Sequence, residues 1–172
     1  YNGKNIDEVN AAKNVPGVKL YMAHSTGNMG VSDGAKELFK KCKKLIVVHA
    51  EDQALIEENE ARFLAEFKGR EIDPAVHSKI RNDECAAKAV QVVCELAKET
   101  GHRLHIAHLS SEKELEVVNQ YRKFGVTCEV TPHHLLFSED DYGHCGNFLK
   151  VNPPVRDRSD VFALWQGVKF GQ

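Results

Sequence analysis

The chain has 172 residues, 42% of them hydrophobic, and 23 Lys and Arg stand against 25 Asp and Glu for a net charge of −2. That supplies enough apolar material for one domain with a real core, and no basic surplus to hold a phosphate backbone or an anionic bilayer, so neither nucleic acid nor membrane is an expected partner. The longest apolar runs, such as "LIVV", fall far short of the roughly 20 residues of a membrane span, and the polar opening "YNGKNIDEVN" is no signal peptide, so a cytoplasmic protein is expected. The five cysteines are odd in number, scattered and without a CxxC pair, which suits reduced thiols.

In chain order, "VKLYM" at 18–22 is the first predicted strand, followed by a helical stripe of Ala35, Leu38, Phe39 and Cys42. "LIVVHA" at 45–50 is the second strand, and Ala86, Val90, Val93, Cys94 and Ala97 line a second helix. "RLHIAHL" at 103–109 is the third strand. Ser111 with Glu114 makes a capping box that opens a helix through Leu115, Val118 and Tyr121, while Gly101 and Gly125 sit where left-handed helix ends belong. "VTCEVT" at 126–131 is the fourth strand, and Ser159 precedes a last helix carrying Phe162, Leu164, Trp165 and Val168. Strands alternating with helices predict an α/β fold with a parallel sheet, either open and doubly wound or closed as a (β/α)8 barrel. A whole barrel needs about 250 residues, so four strands would make half of one. No repeat or composition shift divides residues 1–172, which read as part of a single domain.

In parallel α/β proteins the chemistry gathers at the C-terminal ends of the strands. His49 in "VVHAED" and His108 in "LHIAHLSS" stand there, and neutral imidazoles converging from neighbouring strands suit zinc. His105, an odd number of residues before His108, is expected to face away from the site, and His24, His77, His102 and His144 read as structural. Lys19 lies within an apolar strand, where an ammonium is costly. Two readings stay open for it: a stem that snorkels outward, or a neutral amine carboxylated by carbon dioxide to bridge two cations. Cys128, His133, His134, His144 and Cys145 are a weaker zinc alternative, because they lack the paired short intervals of structural sites. "STGNMG" at 25–30 matches no phosphate-binding loop pattern.

Five stretches, "VKLYMAHSTGNM", "VVHAED", "ELAKETGHRLHIAHLSS", "VTPHHLLFSEDDY" and "KVNPPVRDRSDVFALWQG", resemble in order and approximate spacing the motifs of dihydroorotases in the amidohydrolase superfamily. Any one of them is weak; five in order across nearly the whole chain are specific. The resemblance implies a zinc-dependent barrel, of which these would be strands four to seven, interconverting L-dihydroorotate and N-carbamoyl-L-aspartate in de novo pyrimidine synthesis. It implies that Lys19 is carboxylated and bridges two zinc ions, that His49 and His108 ligate one of them, and that Asn152 hydrogen-bonds the pyrimidine ring. Asn28 would lie in a loop near the substrate, and His133 and His134 would orient loops around the metal without binding it.

The family's HxH pair, its substrate-binding arginine and its final metal-bound aspartate have no counterpart here, so no catalytic residue is expected within the segment, which should be inactive alone. A homo-oligomer and an association with aspartate transcarbamoylase are expected of the complete enzyme. Hydantoinases and allantoinases share the lysine and histidine pattern and are the nearest alternative, although Asn152 with His133 and His134 favours dihydroorotase. A non-catalytic scaffold is the alternative of another class.

Overall fold

The computed structural model describes residues 1–23, 34–68 and 71–171. Four strands, β1 (Gly17–Tyr21), β2 (Leu45–His49), β3 (Leu104–Ile106) and β4 (Val126–Cys128), form one sheet. All neighbours pair in parallel, and the spatial order β1-β2-β3-β4 repeats the order along the chain. A doubly wound sheet reverses its strand order at a switch point, whereas a barrel wall advances one strand at a time. The sheet is therefore a stretch of barrel wall, and the doubly wound reading falls away.

The helices follow in order. α1 (Ile6–Ala11) precedes β1 and α2 (Ala35–Lys41) joins β1 to β2. α3 (Gln53–Phe67), α4 (Val76–Ile80) and α5 (Asp83–Thr100) lie between β2 and β3, and α6 (Glu112–Tyr121) between β3 and β4. Beyond β4 come α7 (Pro132–Leu136), α8 (Tyr142–Cys145) and α9 (Arg158–Phe170). The main core has Val18, Leu20, Ile46, Val48, Leu104, Ile106 and Val126 on the sheet side. Against them pack Leu38 and Phe39 of α2, Val90, Val93, Cys94 and Ala97 of α5, and Leu115 and Val118 of α6. Alternate strand residues point the other way, so Lys19, Val47, His105 and Thr127, which are register partners, share the opposite face.

Local signals explain most of the ends. Gly101 closes α5 with φ of +66°, a left-handed conformation that glycine adopts without strain. Ser111 caps α6 by accepting from the Glu114 amide, but the reciprocal half of the capping box is displaced. The Glu114 carboxylate accepts from the Ser110 amide at 3.0 Å and from the hydroxyls of Ser110 and Ser111. The expected start of the last helix at Ser159 is corrected: Asp157 is the cap of α9 and accepts from the Asp160 amide, while Ser159 donates its hydroxyl to the same carboxylate. A carboxylate two residues upstream is the better acceptor for the first-turn amides.

Candidate metal centre

β2 delivers His49 at its last residue, and β3 ends two residues before His108. His108 has φ of +45°, a left-handed conformation uncommon for a residue with a Cβ. That turn takes the chain off the strand's two-residue period and brings the His108 ring beside His49. Nδ1 of His49 lies 3.1 Å from Nε2 of His108. Two nitrogens on one tetrahedral zinc, each bonded at about 2.0–2.1 Å, would be about 3.3 Å apart. The pair therefore matches the spacing of two zinc ligands.

The same turn overturns one expectation. His105 does not face away from the site: it shares the Lys19 face of the sheet, because the period-2 argument fails once the backbone leaves the strand at residue 108. His105 is occupied there by the Thr127 hydroxyl at 2.8 Å and by Glu129 at 3.4 Å.

Electrostatics favour neutral nitrogen at this end of the barrel wall. Burial, reinforced by His49 and by the charge of Lys19, pushes the His108 imidazole down to about 3, so at neutral pH the ring is uncharged and one of its nitrogens keeps a free lone pair. Burial also lowers the Lys19 ammonium from its ordinary value, although Glu129 opposes the shift. Lys19 is half-buried, with Nζ 5.6 Å from the Tyr21 ring centroid.

Sequence reasoning missed the group that holds His49. Glu51, fully buried, accepts from Nε2 of His49 at 2.8 Å. Burial works against its charge, but the His49 hydrogen bond and the Arg81 guanidinium prevail and hold the carboxyl below the usual range. The only signal was "HAE", an acid two residues beyond a strand-tip histidine.

His108 also lines a cleft of about 600 Å³ with His77, Thr131, His133, Lys150, Val151 and Asn152. Asn152 is thereby on the same cleft as the candidate ligand. His133 and His134 share the Thr131 hydroxyl, at 3.0 and 2.8 Å, and buried His134 also bonds the Pro153 carbonyl at 3.0 Å. His134 thereby ties Pro153, the residue after Asn152, to Thr131. Asn28 and His24 lie outside the described residues. Cys128, His133, His134, His144 and Cys145 do not converge: among the described residues no three His, Cys, Asp or Glu side chains are grouped to hold a metal, and all five cysteines are free thiols. Among the described residues no helix is long and apolar enough to cross a membrane.

No family model matches the chain. A dihydroorotase of Methanosarcina mazei is 34% identical over 168 residues, covering 89% of this chain and 35% of that protein. A dihydroorotase of Halobacterium salinarum is 36% identical over 161 residues, covering 90% and 35%. An allantoinase of Bacillus velezensis is 36% identical over 129 residues, covering 74% and 28%. Among solved structures, an L-hydantoinase of Arthrobacter aurescens superposes with a TM-score of 0.82 at 29% identity, covering 89% of this chain and 35% of that one. A D-hydantoinase superposes with a TM-score of 0.85 at 21% identity, which speaks for the fold.

A sequentially ordered parallel wall with converging imidazoles at its strand tips, matched by these relatives, defines a segment of an amidohydrolase-superfamily barrel. Within that superfamily the chain is dihydroorotase-like, and it spans about a third of the length of the curated relatives it matches, 35% for the Methanosarcina mazei protein.

Proposed function

We propose that this chain is part of a zinc-dependent cyclic amidohydrolase that interconverts L-dihydroorotate and N-carbamoyl-L-aspartate in cytoplasmic pyrimidine synthesis. The observation that carries the reading is the 3.1 Å approach of His49 Nδ1 to His108 Nε2, with Lys19 on the neighbouring strand of the same face. His49 and His108 would hold one zinc ion, and carboxylated Lys19 would be shared between two. Zinc there would polarise the scissile carbonyl and lower the pKa of its bound water.

The chain's own groups have defined work in this reading. Burial keeps His108 unprotonated, and so available as a donor. The lowered Lys19 ammonium favours the free amine, whose lone pair attacks the carbon of carbon dioxide and releases one proton as the carbamate forms. Asn152, on the cleft next to His108, would hydrogen-bond the substrate ring, and His134 fixes the carbonyl of the following residue. The group that gives the leaving nitrogen its proton lies outside residues 1–172 in this reading.

The test is turnover of dihydroorotate by the full chain, with zinc content measured alongside; Lys19→Ala, His49→Ala and His108→Ala should each remove most of both. A homo-oligomer and an association with aspartate transcarbamoylase belong to the same reading, and light scattering on the full chain with and without that partner tests them. The allantoinase and hydantoinase relatives support a second reading, an allantoinase or hydantoinase-type cyclic amidase. Faster turnover of allantoin or hydantoin than of dihydroorotate would establish it. Absence of turnover with a full complement of metal would sink both enzyme readings in favour of a scaffold.

A further inference from the structure

The five residues "HSKIR" at 77–81 have more long-range polar partners than their place in a short helix requires. His77 Nε2 bonds the Val151 carbonyl at 2.9 Å, Ser78 donates to the Val155 carbonyl at 2.9 Å, and Lys79 pairs with Glu139 at 2.7 Å. Each fastens this segment to the region that contains Asn152. Arg81 fastens it in two directions. Its carbonyl accepts from the buried Arg156 guanidinium, four residues beyond Asn152, and its own guanidinium reaches Oε2 of Glu51, the oxygen that also accepts from His49. One side of Arg81 thus holds the cleft loop, and the other holds the support of a candidate metal ligand.

We propose that Glu51 and Arg81 are positioning residues for His49: the Arg81-anchored Glu51 carboxylate fixes the imidazole as the Nε2–H tautomer, and the Arg81 carbonyl sets that imidazole in register with the Asn152 loop. This rests on the reading of His49 as a metal ligand. A carboxylate can only accept, so Nε2 must donate to Glu51, and Nδ1 is left with a lone pair aimed at His108. Were Glu51 replaced by a donor, the opposite tautomer would place a proton on Nδ1, where the cation belongs. Packing alone does not call for this arrangement. A fully buried carboxylate whose Oε1 has no hydrogen-bond partner among the described residues, and whose Oε2 takes both donors, is a costly way to fill space. A carboxylate behind a ligating histidine typically changes metal affinity about 10–100-fold on removal.

The test measures zinc affinity of the full chain by chelator competition, and the His49 tautomer by the ¹⁵N shifts of its ring nitrogens in the metal-free protein. Glu51→Met and Arg81→Met should each weaken zinc at least about 10-fold, and Glu51→Met, which removes the acceptor, should also shift the ring away from the pure Nε2–H form, while Arg81→Lys, which keeps a cationic donor for Glu51, should recover most of the zinc affinity lost in Arg81→Met. The double variant Glu51→Met with Arg81→Met removes both charges at once, guards against a fold lost to one unpaired ion, and should show the same loss of zinc and the same tautomer shift as Glu51→Met. In Arg81→Met the KM for dihydroorotate should rise by more than kcat falls once zinc is saturating, as expected if the Asn152 loop has shifted. Zinc affinity lost in His49→Ala but retained in Glu51→Met and Arg81→Met, with the tautomer unchanged in Glu51→Met, would overturn the proposal alone. Zinc affinity unmoved by His49→Ala would overturn the metal reading and the proposal with it.

Discussion

His49 and His108 meet through Nδ1 and Nε2 at 3.1 Å, with the opposite nitrogen of His49 already committed to Glu51. A contact between two imidazoles holds one proton at most, and protonating both rings puts two like charges side by side.

Acid should therefore destabilise the metal-free protein in a defined window. Burial is the first cause holding folded His108 at about 3 and folded His134 at about 4, against an ordinary 6.5 for both. The unfolded chain binds these protons first, so the stability they support is whole above pH 6.5, falls as the pH drops, and is exhausted near 4 for His134 and near 3 for His108. Each proton adds a slope of at most about 1.4 kcal/mol per pH unit. Urea midpoints of the metal-free full chain between pH 7 and pH 4 should fall less steeply in His134→Gln than in the unsubstituted protein.

The cap of α9 gives a comparison between substitutions two residues apart. Asp157 accepts from the Asp160 amide at 3.0 Å, and Ser159 only adds a hydroxyl to the same carboxylate at 2.6 Å. Asp157→Ala should cost about 1 kcal/mol in chemical denaturation, and Ser159→Ala less. The reverse order would return the cap to Ser159.

The particular residues show why some of this was legible in sequence and some was not. β1 to β4 were visible because each has an apolar run that packs on one helical layer, and Gly101 was visible because a left-handed helix end favours glycine. α3 was invisible: only Ile56 and Asn59 of its residues are buried, so no apolar stripe marks it. His49 and His108 stand out in sequence by their place at strand ends, and the structure brings their rings together, but the face of His105 was misjudged because the left-handed turn at His108 breaks the alternation on which that inference stood. Glu51, Arg81 and Arg156 were missed for a different reason. Apart from the two-residue step from His49 to Glu51, they are assembled by hydrogen bonds spanning 30 to 75 residues of chain, which no local pattern encodes.

Gly17 sets how closely β1 can approach β2. A Cβ built at Gly17 would lie 2.6 Å from the Leu45 carbonyl oxygen, a backbone atom fixed by the strand pairing. A side chain could rotate away; this carbonyl cannot move without opening the first rung of the ladder. Gly17→Ala should destabilise the fold by about 1–3 kcal/mol, measured as a shift of the denaturant midpoint at constant m-value.

His134 should act on substrate binding through the loop it holds. Its Nε2 faces the Pro153 carbonyl at 3.0 Å, an oxygen that can only accept, so that nitrogen carries the hydrogen. Nδ1 is then the acceptor and takes the Thr131 hydroxyl at 2.8 Å, which leaves the Thr131 oxygen to accept from Nε2 of His133 at 3.0 Å. All three groups thus have compatible donors and acceptors only while His134 is neutral, which its burial secures at neutral pH. His134→Ala would leave the buried Pro153 carbonyl without its donor beside the exposed Asn152, at a cost of about 1–3 kcal/mol. Asn152 binds substrate in the proposed reaction, and the hydrogen bonds of His134 go to Thr131 and Pro153 rather than to the proposed ligands His49 and His108. The variant should therefore raise KM for dihydroorotate several-fold, with kcat and zinc content nearly unchanged. A loss of zinc in His134→Ala with KM unmoved would place His134 in the metal centre, and the loop-holding role assigned to it would be wrong.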